Sequence, residues 1–261
     1  MKIVFLTQDD PLYILPFFDE FFRQELGEIE VLGIFSCKTM GDRGRAKLLR
    51  ELFHLYGGFG LTRLLFRAAT GKILGGLPAR RSSKRFHSVA QICRAFGVPH
   101  GFIGNPNQEE NRSRIAALAP DLLVSVACPY ILKDKLLGLP PLGCINVHHA
   151  PLPRYKGMMP TFWQMYHGEK KVGVTIHTMA ARVDEGTALL QEQLPIGENE
   201  SLDSLIRRTK RHGAHCMLGV LQQIARQTQT TLSLASQPGS YFTFPTPAEM
   251  KEFRRRGFRA I

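Results

Sequence analysis

The sequence predicts an α/β fold: an open, mostly parallel sheet with helices on both faces, followed by a C-terminal helix and an extended arm. Two observations carry this. Apolar residues gather in short uninterrupted blocks rather than alternating with polar ones, as in strands covered on both faces. Stretches of helical periodicity separate those blocks, which is the rhythm of a doubly wound sheet. The composition agrees: 44% hydrophobic and 21% charged over 261 residues. Such a chain buries a sizeable core without a metal or disulfide staple.

In chain order, the expected strands are Ile3–Leu6, Ile29–Phe35, Leu122–Ala127, Cys144–Val147 and Val172–Thr178. Between the first two, Leu12–Leu26 repeats Phe and Leu at helical spacing. Ser88–Phe96 and Gln108–Leu118 mix polar and apolar residues as surface helices do. Residues 41–85 interrupt the rhythm. Leu48, Leu49, Leu52, Phe53, Leu55 and Tyr56 recur at helical spacing, Gly57-Gly58 breaks the run, and Leu61, Leu64, Leu65 and Phe66 resume it. This reads as a basic amphipathic helical hairpin inserted into the α/β domain. Leu202–Gln227 reads as one long helix with Ser201 as its N-cap. The tail from Thr230, with Pro238-Gly239, Pro245 and Pro247, reads as an extended arm ending in a short basic helix, Ala248–Arg256. The expected division is therefore 1–195 and 196–261.

The net charge is +12. Residues 41–85 hold eleven Lys or Arg against Asp42 and Glu51, a local excess of +9. A basic segment of this kind is either a solvated face or a surface for RNA, acidic lipid or phosphorylated ligands. The five cysteines form no C-x-x-C pair and read as reduced thiols. Ile3–Leu6 is too short for a signal-peptide core or a membrane span. The expectation is a cytoplasmic protein with no transmembrane segment, free to form an oligomer.

Motifs at the carboxyl ends of strands weigh most, because open α/β sheets bind ligands there. In Gly143-Cys-Ile-Asn-Val-His-His-Ala-Pro-Leu-Pro-Arg-Tyr-Lys-Gly157, an apolar strand runs into Asn146 and His148 and breaks at Pro151 and Pro153. Two residues apart on a strand, Asn146 and His148 share a face. An amide donor beside an imidazole suits acyl transfer, because one can stabilise an oxyanion and the other can move a proton. The bland alternative is a polar strand end capped by a loop. In Gly173-Val-Thr-Ile-His-Thr-Met-Ala-Ala-Arg-Val-Asp-Glu-Gly186, a strand leads to Asp184 and Gly186. A carboxylate beside His148 would orient its ring. Asp184 also fits a plain turn residue, and His177 fits either a buried histidine or a pocket residue.

Taken together, these two stretches resemble the 10-formyltetrahydrofolate-dependent formyltransferases, whose pattern is roughly N-x-H-x-S-L-L-P and then, after a strand, D-x-G. The likeness covers about residues 1–195 and is strongest over 121–195. It implies a Rossmann-like formyltransferase fold and 10-formyltetrahydrofolate as co-substrate, with no metal. It implies Asn146, His148 and Asp184 as catalytic residues. It also implies a pterin pocket lined by Cys128, Pro129, Tyr130, Ile131 and Leu132, by His177, and by the chain around Met179, Ala180, Ala181, Arg182 and Val183. The implied acceptor is a small amine or amino sugar, or methionyl-tRNA. Ala150-Pro151 stands where the family has Ser-Leu, and Thr7-Gln-Asp-Asp-Pro11 lacks phosphate-cradling glycines.

Two other readings use the same scaffold. One is a hydrolase that releases formate from the folate. The other is a non-catalytic module binding RNA or a membrane surface through residues 41–85. His212-x-x-His215-Cys216 places possible zinc ligands on one helical face, but Arg207, Arg208, Lys210 and Arg211 beside them repel a cation. Walker, G-x-S-x-G and G-x-G-x-x-G patterns do not occur.

Overall fold

The computed structural model describes residues 1–8, 10, 12–38, 45–180, 182–234 and 238–261, with backbone only at 45–48. Seven strands form one sheet. They are β1 (Lys2–Gln8), β2 (Glu30–Cys37), β3 (His100–Ile103), β4 (Leu122–Val126), β5 (Cys144–His148), β7 (Lys171–Thr178) and β8 (Ala188–Pro195), in the order β3-β2-β1-β4-β5-β7-β8. The first five run parallel, and β7 and β8 are antiparallel additions. The five expected strands are all present. β3 and β8, which the apolar runs did not signal, close the two edges. A separate pair joins β6 (Lys156–Gly157) to β9 (Tyr241–Phe242).

The two faces of the sheet have different covers. Odd-numbered core positions of β1 and β5, such as Ile3, Phe5, Ile145 and Val147, share one cluster with α1 (Leu15–Arg23), α3 (Val89–Phe96) and α7 (Leu202–Ala225). α1 is Phe-rich because it fills this layer: Phe17, Phe18 and Phe21 surround Phe5 with edge-to-face ring contacts. Even-numbered positions, Val4, Leu6 and Cys144, pack on the other face with Ile115, Leu132 and Leu136. These come from α4 (Glu109–Ala116), the loop after β4, and α5 (Asp134–Leu137). The carboxyl ends of β1 and β4 form the crevice where the strand order reverses.

Caps fix several helix ends. Ser88 accepts from the Gln91 amide and Ser201 from the Ser204 amide. The insertion forms α2 (Arg45–Leu74), two helices joined through Gly57 at φ 68°, so the break falls where Gly57-Gly58 places it. Its residues 41–44 lie outside the described ones. Leu55, Tyr56 and Leu64 are buried against the aromatic cluster of α6 (Pro160–Tyr166) and α8 (Pro247–Arg255), whereas Phe59 (81%), Phe66 (71%) and Ile73 (72%) remain exposed. Among the described residues, no helix is long and apolar enough to cross a membrane. All five cysteines are free thiols.

Candidate active site

β5 ends in Cys-Ile-Asn-Val-His, and the alternation of the strand sends Asn146 and His148 to one face while Val147 enters the core behind them. The antiparallel register of β7 sets His177 directly opposite Asn146. The loop after β7 then returns Asp184 to the same place, with φ 53° at Asp184 itself. Gly186 explains why the loop can pass so close to the sheet: a Cβ there would lie 1.5 Å from the carbonyl oxygen of Thr178.

The four polar side chains interlock. His177 donates from Nδ1 to the carbonyl of Thr178 at 2.8 Å. Its Nε2 is then bare in the neutral ring and accepts from Asn146 Nδ2 at 3.1 Å. Burial, followed by the nearby His148, lowers the pKa of His177, while the Thr178 carbonyl and Asp184 oppose the shift. A neutral His177 fits both hydrogen bonds. It leaves Asn146 a second amide hydrogen for another acceptor.

His148 has the reverse arrangement. Its Nε2 donates to the carbonyl of Tyr155 at 2.8 Å, so the neutral ring presents a bare Nδ1. That nitrogen lies 3.5 Å from Asp184 Oδ2. A proton arriving at Nδ1 would make an imidazolium held between a carbonyl and a carboxylate. Asp184 is nearly enclosed, accepts the Gly157 amide at 3.0 Å, and approaches His177 Nε2 to 3.7 Å. Lys156 and Glu185 pair at 3.0 Å and pin the loop from outside.

The supports come from an unexpected quarter. β9 runs beside β6, Ser240 Oγ accepts from the Tyr155 amide at 2.8 Å, and Phe242 stacks on Tyr155 and Trp163. The C-terminal arm therefore fixes the segment whose Tyr155 carbonyl orients His148. Sequence reasoning missed this bracing, and also missed the Gly157 amide. Only the Lys-Gly ending of the first motif hinted at a special backbone position: Gly157 has φ 91°, and a Cβ there would meet the Phe242 carbonyl at 2.3 Å.

The other expected pocket residues divide. Leu132 is buried, and Cys128, Tyr130 and Met179 pack against its cluster together with Cys144, on the same face as Asn146. The Met179 amide donates to the Cys144 carbonyl at 2.7 Å. Pro129 is half-buried, and Ile131 is 58% exposed. Ala180 and Arg182 are exposed, Val183 is half-buried, and Ala181 lies outside the described residues. Cys128 approaches Cys37 to 3.9 Å between sulfurs. On α7, His212 pairs with Glu192 beside Cys216, while His215 turns away to Glu20 and Gln24.

The sequence profile of the formyl transferase family matches residues 81–221, more than half of the chain and the part that carries this constellation. The chain belongs to the formyl transferase family. Among its relatives are the methionyl-tRNA formyltransferases of Thermosynechococcus vestitus and Citrifermentans bemidjiense. The first is 34% identical over 167 residues, 61% of this chain and 50% of that protein. The second is 41% identical over 138 residues, 53% of this chain and 43% of that one. The chain spans about half the length of the curated relatives it matches. Solved structures share the formyltransferase fold. Phosphoribosylglycinamide formyltransferase from Anaplasma phagocytophilum aligns at TM-score 0.59 and 15% identity, covering 93% of this chain and 98% of its own. A sugar N-formyltransferase from Shewanella aligns at 0.56 and 17%, covering 93% and 76%.

Proposed function

We propose that this chain transfers a formyl group from 10-formyltetrahydrofolate to an amine, with Asn146, His148 and Asp184 as its catalytic residues. One observation carries the reading: an amide hydrogen, a bare imidazole nitrogen and a carboxylate converge at the carboxyl end of β5. The wall made by Cys128, Tyr130, Leu132 and Met179 on the same face suits a flat pterin ring. Ile131, largely exposed beside it, adds apolar surface.

The folate supplies the activated formyl carbon. Asn146 offers its second amide hydrogen to the formyl oxygen, where negative charge develops as the acceptor amine attacks. His148 takes the amine proton at Nδ1. Asp184 stabilises the resulting imidazolium, and the Tyr155 carbonyl keeps the ring from turning. As the tetrahedral intermediate collapses, the bond between the folate N10 and the formyl carbon breaks, that proton passes to N10 and tetrahydrofolate leaves. His177 is a positioning residue, since its bare Nε2 fixes which way the Asn146 amide faces.

The acceptor we favour is a small amine or amino sugar. A methionyl-tRNA acceptor is the alternative suggested by the named relatives, and the chain spans only half of those proteins. The test incubates the full chain with 10-formyltetrahydrofolate and a panel of amines, then reads products by mass spectrometry for one added formyl group. Product that disappears in Asp184→Ala supports the proposal. Formate released without any acceptor would replace it with the hydrolase reading. No folate turnover at all would sink it.

A further inference from the structure

A cavity of about 420 Å³ opens beside the insertion, away from the polar cluster of β5. Four segments wall it: the loop after β1 with the first turn of α1, the second half of α2, the strap before α3, and the N-terminal half of α7. Six cations line it, Arg63, Arg67, Lys84, Arg85, Arg207 and Arg211, against two carboxylates, Asp19 and Asp203. Both carboxylates are already engaged. Asp203 pairs with Arg67 at 2.7 Å, and Asp19 pairs at 2.6 Å with Arg23, which lies outside the cavity. Among the described residues, Arg63, Lys84, Arg85 and Arg211 have no acid within ion-pair distance. Arg207, half-buried, has one long hydrogen bond to the Leu12 carbonyl at 3.5 Å. Burial, then the charges of Arg67, Arg211 and Arg85, weaken its hold on its proton, with Asp203 opposing.

Like charges gathered in a recess repel one another, and the recess excludes part of the water that would screen them. A chain that folds this way holds unspent attraction for an anion. Guanidinium groups from opposite walls suit the paired oxygens of a phosphate, and several of them suit a diphosphate. The first turn of α1 adds a partial positive charge at the same wall. His87 contributes no cation, because burial and then Arg85 lower its pKa. The volume falls in the range of small-ligand sites, roughly 300–1,000 Å³.

We propose that this cavity binds the phosphate or diphosphate end of a ligand through Arg63, Arg85, Arg207 and Arg211. The source is either a soluble phosphorylated compound or a lipid headgroup. The exposed Phe59, Phe66 and Ile73 on the same helix make the lipid source worth a separate arm. The site stands independently of formyl transfer, since its test needs no turnover.

The experiment titrates the full chain with inorganic pyrophosphate by calorimetry and sediments it with phosphatidylglycerol vesicles, using phosphatidylcholine vesicles as reference. The variant is Arg85→Ser with Arg211→Ser. The control, Arg255→Ser with Arg256→Ser, removes the same charge at the C-terminal end of α8. Circular dichroism checks that each is folded, and Arg85→Lys with Arg211→Lys reports on charge alone. One-to-one pyrophosphate binding, weakened about tenfold in the cavity variant and nearly unchanged in the control, supports a soluble ligand. Sedimentation with phosphatidylglycerol alone, lost in the cavity variant and kept in the control, supports a headgroup. Binding of neither probe, or equal loss in variant and control, overturns the proposal.

Discussion

At the carboxyl end of β5, each polar group hands over to the next: Thr178 to His177, His177 to Asn146, Gly157 to Asp184, Tyr155 to His148. The cavity beneath α2 is built the other way. Among the described residues, four of its six cations, Arg63, Lys84, Arg85 and Arg211, face no acid at ion-pair distance. The first arrangement is closed and directional, so changing one member disturbs its neighbours. The second is open and diffuse, so removing one charge relieves the rest. The two regions should therefore respond oppositely to perturbation.

The largest expected effect is at the closed cluster. Asn146→Ala removes the proposed oxyanion donor and should lower the rate of formyl transfer about 10²–10³-fold, with folding intact. Single-turnover rates and circular dichroism check this, and a rate within a factor of a few of the parent would break the contrast. Next comes the loop that brings in Asp184. Gly186→Ala drives a methyl into the Thr178 carbonyl. It should cost about 2–4 kcal/mol of stability, read from urea unfolding. An unchanged midpoint would mean that the loop yields more easily than its geometry implies.

Acid should act first on two buried histidines around β5, His177 in the closed cluster and His149 beside Gly213 on the opposite face. His177 and, more strongly, His149 are held below the ordinary histidine value of 6.5. For His149 the cause is burial, then Lys210, His148 and His212. Among the described residues neither of its buried ring nitrogens has a hydrogen-bond partner, and the residue is 6% exposed. The unfolded chain binds the proton more readily, so stability is present above about pH 6.5 and falls as pH drops below it. His149→Phe should flatten part of that slope, by about 1 kcal/mol between pH 7 and 5. Parallel profiles for the two proteins would remove His149 from the account. The smallest effect belongs to the cavity. Added sodium chloride should stabilise the parent by screening its cations, by a few tenths to about 1 kcal/mol, and should do less for Arg85→Ser with Arg211→Ser. Equal salt responses would show that the repulsion costs nothing.

The strands legible in the sequence were those covered on both faces. Ile3–Leu6, Leu122–Ala127 and Val172–Thr178 announce themselves because every position in them is buried except the half-buried last residues Ala127 and Thr178. β3 escaped notice because it is a four-residue edge containing Gly101, and β8 because Gln191, Glu192 and Gln193 break its apolar run at the other edge. Asn146 and His148 were legible as a pair from strand alternation alone. The link from Asn146 to His177 was not, because it depends on the register between β5 and β7, 31 residues apart. The cavity was invisible for a similar reason. Its cations come from three segments, α2, the strap before α3 and α7, and nothing in the sequence brings the last of these to the other two.

Pairing between β6 and β9 means that the His148 imidazole is aimed by chain laid down almost a hundred residues later. A translation product stopping short of Ser240 would carry all four polar residues of the cluster and still lack the brace behind His148. Such a fragment would look intact to any inspection of motifs and yet be poorly armed, so Ser240, Tyr241 and Phe242 serve the candidate site as much as the fold.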